Sequence, residues 1–266
     1  MVRTFEVGRT SVDCITFGVG ERTLVVLPGL CLHPLAPSAA AIAAQFRCLA
    51  SDFTVHLIDH ETRVPDGFGL DDMARDAIEA LRLLDVKRCS IYGVSKGGML
   101  AQLVAQRSPE LVEALVLGST TVKMADELEA LVGAWIELAQ SGDVVALNRS
   151  FFERVYSPEY RQKNAAAFSL IETLGTPAEL ERFIRLGKAC SKLDSFNLAS
   201  SNATLSCPAL VLAPTADQVI PHRCALELAQ TLQNCRLEVF EGASHAVYDE
   251  NPAILPLIRD FLLSAC

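Results

Sequence analysis

The sequence predicts an α/β fold, in which a mainly parallel β-sheet is covered by helices on both faces and one helical segment is inserted. Short apolar runs without polar alternation recur along the chain, as expected for strands buried on both faces. Segments with helical spacing of apolar residues separate these runs. Half of the 266 residues are hydrophobic, which is enough for a buried core.

Strands are predicted wherever a short apolar run ends at a turn signal. The first two runs alternate loosely and form a pair joined around Gly8. The later runs are continuous, so we expect them to lie inside the sheet. The predicted strands are residues 3–8, 11–17, 23–27, 53–59, 89–93, 111–119, 209–213 and 236–242.

Helices are predicted between these strands, and their spacing marks an insertion. Residues 35–50, 70–86, the segment after Ser95 and a closing segment near 251–264 have apolar residues at helical spacing.

Between residues 122 and 206 only helical spacing is found. One helix start there carries a capping box, Thr176-Pro-Ala-Glu179. We therefore expect a core made of residues 1–121 and 207–266, interrupted by a helical cap formed by residues 122–206.

The net charge and the distribution of the cysteines indicate which partners and metal sites are not expected. The net charge is −9 and no cluster of Lys and Arg occurs, so neither nucleic acid nor an anionic membrane is expected as a partner. The nine cysteines are scattered and contain no CxxC pair, so no metal site is predicted. Without a signal-peptide pattern or an apolar membrane span, a cytoplasmic location is expected. The oligomeric state is left open.

A candidate nucleophile lies between a predicted strand and a predicted helix. Gly93-Val94-Ser95-Lys96-Gly97 has the form G-x-S-x-G. This pattern, at a strand-to-helix turn, is typical of a nucleophile elbow, where flanking side chains would clash with the strand and the helix. The alternative is an ordinary glycine-rich turn with a structural serine. The setting favours Ser95 as a nucleophile.

A serine hydroxyl needs a base to take its proton, and five histidines compete for that role. His56 lies inside a predicted strand, His60 follows one, and His222 begins a predicted helix. His245 lies in a loop between the last strand and the last helix. In the chain order serine, acid, histidine, that loop is where the base is expected. His245 is therefore the predicted base.

An acid must orient the base, and Asp217 is placed to do so. It follows the strand 209–213, and the carboxyl ends of parallel strands share one edge of the sheet. A carboxylate there can fix the tautomer of an imidazole and stabilise its charged form. The alternative is that Asp217 caps a helix. The segment after strand 111–119 contains no carboxylate, which favours Asp217.

Two backbone N–H groups are predicted to form an oxyanion hole. The N–H of Lys96 follows the nucleophile, where one donor is expected. The other donor is expected from the loop after strand 23–27, where Leu30 follows Pro28-Gly29. This chemistry needs no cofactor and no metal.

With these residues assigned, the chain resembles the α/β-hydrolase superfamily over essentially its full length. The segments that carry the resemblance are LVVLPGL, LIDHETRV, IYGVSKGGMLAQ, ALVLAPTADQVIP and GASHAVY. The chain is most similar to the lid-bearing group of 3-oxoadipate enol-lactonases, C–C bond hydrolases and small esterases. The resemblance implies that residues 122–206 form a cap over the active site. In two loops, at Pro28-Gly29 and at residues 59–63, the chain departs from the family pattern.

The predicted function is hydrolysis of a small ester, lactone or thioester through an acyl-enzyme. The alternatives are a C–C hydrolase or cofactor-free haloperoxidase-like enzyme with the same triad, and a non-catalytic binding protein of this fold. Two contributions to the substrate pocket remain open. The side chain of Lys96 would bind an anionic substrate group, or else turn to solvent or pair with a cap acid.

The other contribution comes from side chains near the pocket. Cys31 and His33 follow the predicted oxyanion loop and could line it. The cap aromatics could line the pocket or pack within the cap. These aromatics are Trp135, Phe151, Phe152 and Phe168.

Overall fold

The structure of the protein is a computed structural model that describes residues 1–61, 64–193 and 197–265, with only the backbone described at residues 60 and 61. Within these ranges one sheet contains eight strands in the order β1-β2-β4-β3-β5-β6-β7-β8. The strands are β1 (Val2–Val7), β2 (Thr10–Phe17), β3 (Arg22–Leu27), β4 (Phe53–Glu61), β5 (Cys89–Val94), β6 (Val112–Gly118), β7 (Ala209–Pro214) and β8 (Cys235–Phe240).

The antiparallel strand pairs lie at one side of this sheet. β1 and β2 form an antiparallel hairpin whose turn contains Gly8 at φ 49°, a conformation that favours glycine. β2 also pairs antiparallel with β4. From β4 onward every neighbouring pair is parallel. The predicted mainly parallel sheet is confirmed, and its parallel strands all end at the same edge.

Helices cover both faces of the sheet, because the parallel strands expose apolar side chains on both sides. One face packs against α2, α3 and α10, and the other against α1 and α12. The short helix α11 follows the last strand. The bounds are α1 (Ala39–Gln45), α2 (Leu70–Leu83), α3 (Lys96–Arg107), α10 (His222–Thr231), α11 (Val247–Glu250) and α12 (Ile254–Ala265).

Six further helices lie in the described part of the chain between β6 and β7. Helix α8 begins with the predicted capping box, in which Thr176 Oγ1 accepts from the N–H of Glu179 and Glu179 accepts from the N–H of Thr176. Helix α4 packs against both α5 and α8. The helices are α4 (Asp126–Ser141), α5 (Val144–Val155), α6 (Pro158–Lys163), α7 (Ala165–Ile171), α8 (Pro177–Cys190) and α9 (Leu198–Asn202).

Several element boundaries differ from the sequence prediction. Residues 35–50 do not form one helix, since a 3₁₀ turn at Ala36–Ser38 precedes α1, which ends at Gln45. The short helix α11 was not predicted and precedes the closing helix α12, which begins at Ile254. Strand β4 continues to Glu61, so His60 lies in a strand and not in a loop. Thr62 and Arg63, part of the loop that departs from the family pattern, lie outside the described residues.

The eight cysteines within the described ranges are all free thiols. In the same ranges, no helix has the length and apolarity needed to cross a membrane.

Candidate active site

Ser95 occupies a sharp turn between β5 and α3. Its backbone has φ 53° and ψ −119°, outside the regions that L-residues normally adopt. The Ser95 N–H donates to the carbonyl oxygen of Gly118, and the hydroxyl of Thr120 donates to the carbonyl oxygen of Ser95. Neighbouring strand ends therefore hold the strained residue in place, as expected where strain has a function.

Glycines make this turn possible, because the positions next to Ser95 have no room for a side chain. A Cβ on Gly97 would lie 1.9 Å from the carbonyl oxygen of Leu27, and one on Gly93 would lie 2.4 Å from that of Gly97. A Cβ on Gly98 would lie 2.6 Å from the side chain of Thr120. The strand, the turn and the helix pack backbone against backbone.

Asp217 and His245 are joined directly by a hydrogen bond. His245 Nδ1 lies 2.7 Å from Asp217 Oδ2, and the two side chains are only 5 % and 1 % exposed. The other carboxylate oxygen, Oδ1, accepts from the backbone N–H groups of Val219 and Ile220, each at 2.8 Å. Because both oxygens have fixed partners, the carboxylate can accept only from an Nδ1–H. This fixes the tautomer and leaves Nε2 able to accept a proton.

The loops that carry these two residues are bonded to each other. The N–H of Thr215 donates to the carbonyl oxygen of Phe240, and the N–H of Ala216 donates to that of Ala243. The hydroxyl of Ser119, which follows β6, donates to the carbonyl oxygen of His245 at 2.8 Å. The ends of β6, β7 and β8 thus position the imidazole together.

The inserted helices contact the same loop. The N–H of Ala246 donates to the carbonyl oxygen of Val155, at the end of α5. Glu250 Oε1 accepts from the N–H of Ser157 and from the hydroxyl of Ser244. The segment that follows α5 is therefore attached next to His245.

Ser95 and His245 line one cavity of about 290 Å³, near the lower limit for small-molecule sites. In the described part of the chain, hydrogen bonds join Asp217 to His245, and none joins Ser95 to His245. In sites without substrate such a contact is commonly longer than a hydrogen bond and shortens when substrate binds.

The loop after β3 forms another part of the cavity wall. Gly29 lies against Ser95, since a Cβ on Gly29 would be 3.3 Å from the Cβ of Ser95. Leu30 and Cys31 line the cavity beside it. Burial, with the Asp59 carboxylate adding to it, raises the pKa of the Cys31 thiol to about 11. Cys31 is therefore a neutral thiol near pH 7 and a poor nucleophile.

Helix α8 is attached to this loop through buried charges. Asp59 Oδ2 accepts from the N–H of Leu35 at 2.6 Å, and Asp59 Oδ1 lies 3.6 Å from Arg182. The side chains of Arg182 and Asp59 are 4 % and 2 % exposed. Arg182 also donates to the carbonyl oxygen of Leu32 at 3.5 Å. The loop thus has fixed contacts to β4 and to an inserted helix.

The structure separates the side chains that the sequence placed near the pocket. Cys31 lines the cavity, whereas His33 is paired with Glu179 of α8 at 3.0 Å. Lys96 is 1 % exposed and contacts the sulfur of Met73 in α2, so its side chain does not turn to solvent. Lys96 does not line the cavity, but its charge acts on the Cys31 thiol, which does. The side chain of Lys96 leaves α3 on the face that packs against α2, where it meets Met73.

Of the four aromatic residues named in the inserted helices, two line the cavity and two do not. Trp135 and Phe151 line the cavity, and their ring centroids are 4.9 Å apart. Phe152 and Phe168 pack against each other at 4.8 Å and against Tyr156, and neither of them lines the cavity. Trp135 and Phe151 thus fit the prediction that these aromatics line the pocket. Phe152 and Phe168 fit the alternative that they pack among the inserted helices.

Sequence reasoning missed two kinds of site residue. Ser119 and Thr120 support the turn and the imidazole through their hydroxyls, and Ser119 has φ 46°. The signal that could have identified them is their place after a parallel strand, at the edge of the sheet where the site lies. Gln45, Tyr156 and Asp249 reach the cavity from three separate helices, and no local pattern marks them.

No group of three or more His, Cys, Asp or Glu side chains that could hold a metal ion occurs within residues 1–61, 64–193 and 197–265.

Comparison with known proteins identifies the family of this chain. Residues 22–252 match the family model of the alpha/beta hydrolase fold. A putative carbamate hydrolase RutD of Rhizobium rhizogenes is 25% identical over 232 residues, covering 85% of this chain and 86% of its own. A second one, from Agrobacterium fabrum, is 24% identical over 257 residues, covering 94% and 98%.

Solved structures show the same fold. The enol-lactonase of Burkholderia xenovorans LB400 superposes with a TM-score of 0.85 at 18% identity, covering 98% of this chain and 100% of its own. MGS-M2, an alpha/beta hydrolase enzyme from a Medee basin deep-sea metagenome library, also gives 0.85, at 19% identity and coverage of 98% and 97%. The resemblance and the fold class predicted from the sequence are confirmed. The chain belongs to the α/β-hydrolase family and is an α/β-hydrolase enzyme.

Proposed function

We propose that this enzyme is a serine hydrolase that cleaves a small ester, lactone or thioester through an acyl-enzyme. Ser95 is the nucleophile, His245 the base and Asp217 the acid. The observation that carries the proposal is the buried contact of 2.7 Å between Asp217 and His245, on the wall of the cavity that also holds the strained Ser95. An ordinary glycine-rich turn does not explain this arrangement.

The chemistry follows the roles of the three groups. Ser95 Oγ attacks the carbonyl carbon of the substrate while its proton passes to Nε2 of His245. Asp217 stabilises the imidazolium that forms. The carbonyl π electrons move to oxygen, and the resulting tetrahedral species collapses as the leaving group takes the proton from His245. Water then attacks the acyl-enzyme by the same steps and releases the acid and free Ser95.

The negative charge on the carbonyl oxygen needs N–H donors. Lys96 opens α3, so its amide belongs to the first turn, where the helix dipole is positive. Leu30 lies in the loop that packs against Ser95 through Gly29. We assign the backbone N–H groups of Leu30 and Lys96 to the oxyanion hole.

The helices of residues 122–206 act in this proposal as a cap. Trp135 and Phe151 close the cavity from the side of the insertion, so they exclude water from the reacting carbonyl. The substrate is a small molecule, as the cavity volume of about 290 Å³ requires.

A second candidate substrate class is a carbamate. The observation that favours it is that relatives covering most of this chain carry the name putative carbamate hydrolase. The same serine, base and oxyanion donors would serve, because a carbamate also reacts through attack on a carbonyl carbon. Carbamates therefore belong in the substrate panel beside esters, lactones and thioesters.

The test is hydrolysis of this panel by wild-type protein and by Ser95→Ala. Loss of the nucleophile is expected to lower kcat by on the order of a thousandfold or more on every substrate that the wild type cleaves. Ser90→Ala is the control for loss of a hydroxyl, because Ser90 lies in β5, the strand that leads to Ser95, and does not line the cavity. Equal activity of Ser95→Ala and wild type would contradict the proposal.

A further inference from the structure

One end of the cavity is polar, although most of its wall is not. The apolar wall runs from the turn of Ser95 down the sheet face that α1 and α12 cover. It is formed by Val26, Ile42, Phe46, Leu57 and Leu255. Against this wall stand Gln45, Tyr92, Tyr156 and Asp249, which come from α1, β5, the end of α5 and α11.

Three of these four side chains are bonded to each other. Asp249 Oδ1 accepts from the amide of Gln45 at 2.8 Å, and Asp249 Oδ2 accepts from the hydroxyl of Tyr156 at 3.2 Å. Burial raises the pKa of Asp249 above its usual range, although the hydrogen bonds from Gln45 and Tyr156 oppose that rise. Both carboxyl oxygens of Asp249 are thus held by uncharged donors, and burial disfavours the charged form of the group.

The hydroxyl of Tyr92 differs from the others. Tyr92 is 1 % exposed, and its oxygen has no hydrogen-bond partner among the residues that the structure describes. Burial, together with the Asp249 carboxylate, raises the pKa of this hydroxyl, so it remains a donor as well as an acceptor. A buried hydroxyl without a partner is unfavourable, and a ligand that supplies the partner gains affinity.

We propose that this polar end is a specificity subsite that binds an uncharged hydrogen-bonding group of the substrate, a hydroxyl or a primary amide. Such a group both donates and accepts, so it satisfies the hydroxyl of Tyr92 beside the Asp249 carboxyl. A carboxylate is disfavoured, because Asp249 and the neighbouring Glu250 are acidic. The inference rests on the proposed function, since the group belongs to the acyl or alcohol portion of the ester held at Ser95.

The test compares substrates that differ only at one end. In the acyl series, p-nitrophenyl heptanoate is compared with the ω-hydroxyhexanoate ester, in which a hydroxyl replaces the terminal methyl group. In the alcohol series, pentyl acetate is compared with ω-hydroxybutyl acetate, with acid release as the readout. Esters ending in a carboxylate or an ammonium group complete each series.

We expect the hydroxyl ester to be favoured about tenfold in kcat/KM in one of the two series, as one added hydrogen bond allows. Tyr92→Phe should reduce this ratio to about one, because it removes the unpartnered hydroxyl. Tyr156→Phe, which loses the bond to Asp249, should also reduce the ratio. Tyr160→Phe is the matched control, since Tyr160 stacks on Tyr156 outside the cavity lining and should leave the ratio unchanged.

A binding measurement separates this inference from the proposed function. Trp135 is the only tryptophan of the chain and lines the cavity, so its fluorescence reports binding of the alkyl acetates to Ser95→Ala without turnover. Tighter binding of the hydroxyl acetate, lost in Ser95→Ala/Tyr92→Phe, would support the subsite even if no ester were cleaved. Equal kcat/KM in both series, together with equal binding of the two acetates, would overturn it while leaving ester hydrolysis intact. A preference for the charged esters, or one that Tyr92→Phe does not change, would also overturn it.

Discussion

The role of a single polar side chain is determined by the hydrogen-bond partners that its atoms already have. Asp217 illustrates this, since Oδ1 is held by two backbone N–H groups and Oδ2 faces His245. The carboxylate has no donor of its own, so it selects the imidazole tautomer with a proton on Nδ1. The direction of proton transfer in the proposed mechanism thus follows from the hydrogen bonds of one side chain.

Asp217→Asn tests that statement. The amide oxygen would replace Oδ1 against the two backbone N–H groups, which turns the NH₂ group toward His245 Nδ1. The imidazole would then carry its proton on Nε2 and could not accept the proton of Ser95. We expect kcat for ester hydrolysis to fall by ~10⁴-fold with little change in thermal stability. Asp260→Asn, at a side chain that is 73% exposed, is the control and should keep full activity. An Asp217→Asn enzyme with wild-type kcat would remove Asp217 from the mechanism.

A second residue-scale prediction concerns stability and pH. Asp76 of α2 is 6 % exposed, and burial, with Asp72 adding to it, raises its pKa to about 6. In the unfolded chain an aspartate titrates near pH ~4, so the folded protein binds the extra proton between these values. The ionised carboxyl therefore destabilises the fold above pH ~6, and this cost disappears as the pH falls below ~4.

Asp76→Asn should consequently stabilise the protein more at pH 7.5 than at pH 4, by on the order of 1–3 kcal/mol in the free energy of unfolding. Urea unfolding of both proteins at the two pH values measures this difference. Asp260→Asn again serves as the control. A gain from Asp76→Asn that is equal at both pH values would show that the carboxyl titrates normally in the folded protein.

At the scale of elements, the site depends on how closely β3, β5 and α3 approach each other. The close contact of Gly97 with the carbonyl oxygen of Leu27 brings the loop after β3 against the nucleophile turn. Gly97→Ala should destabilise the protein by at least about 3 kcal/mol, because only backbone atoms could move to relieve the clash. Gly133→Ala, within α4, is the matched control. A Cβ there meets nothing within 4 Å, and alanine should stabilise the helix by about 0.5–1 kcal/mol.

Thermal or urea unfolding of the two variants checks this prediction, together with ester hydrolysis where the protein remains folded. A Gly97→Ala protein as stable and as active as wild type would mean that the strand and helix do not approach as closely as described.

Sequence periodicity predicted the central elements well and the shorter ones poorly. Strands β3 to β7 are buried on both faces along most of their length, so their apolar runs and glycine punctuation are strong local signals. Residues 35–50 were predicted as one helix because their alanines fit helical spacing. The helix is shorter because Pro37 lies in a 3₁₀ turn before it and the chain leaves the helix at Phe46.

At the scale of the whole molecule, topology brings distant residues together. The parallel strands end at one edge, so the residues that follow β5, β7 and β8 could be assigned as candidates from chain order alone. The polar end of the cavity could not be predicted in this way. Gln45, Tyr92 and Asp249 meet because α1 and α11 pack over one face of the sheet, and nothing local in their segments encodes that contact. The direction of the Lys96 side chain is likewise set by the packing of α3 against α2.

The most direct test of the central claim is covalent labelling with a fluorophosphonate, followed by mass spectrometry of the peptides. A serine that is activated by His245 should attack phosphorus, and the account predicts one adduct per chain, on Ser95, absent in Ser95→Ala and strongly slowed in His245→Ala. Folded wild-type protein that takes up no label, or that is labelled at another serine with Ser95 unmodified, would contradict the assignment of Ser95 as the nucleophile.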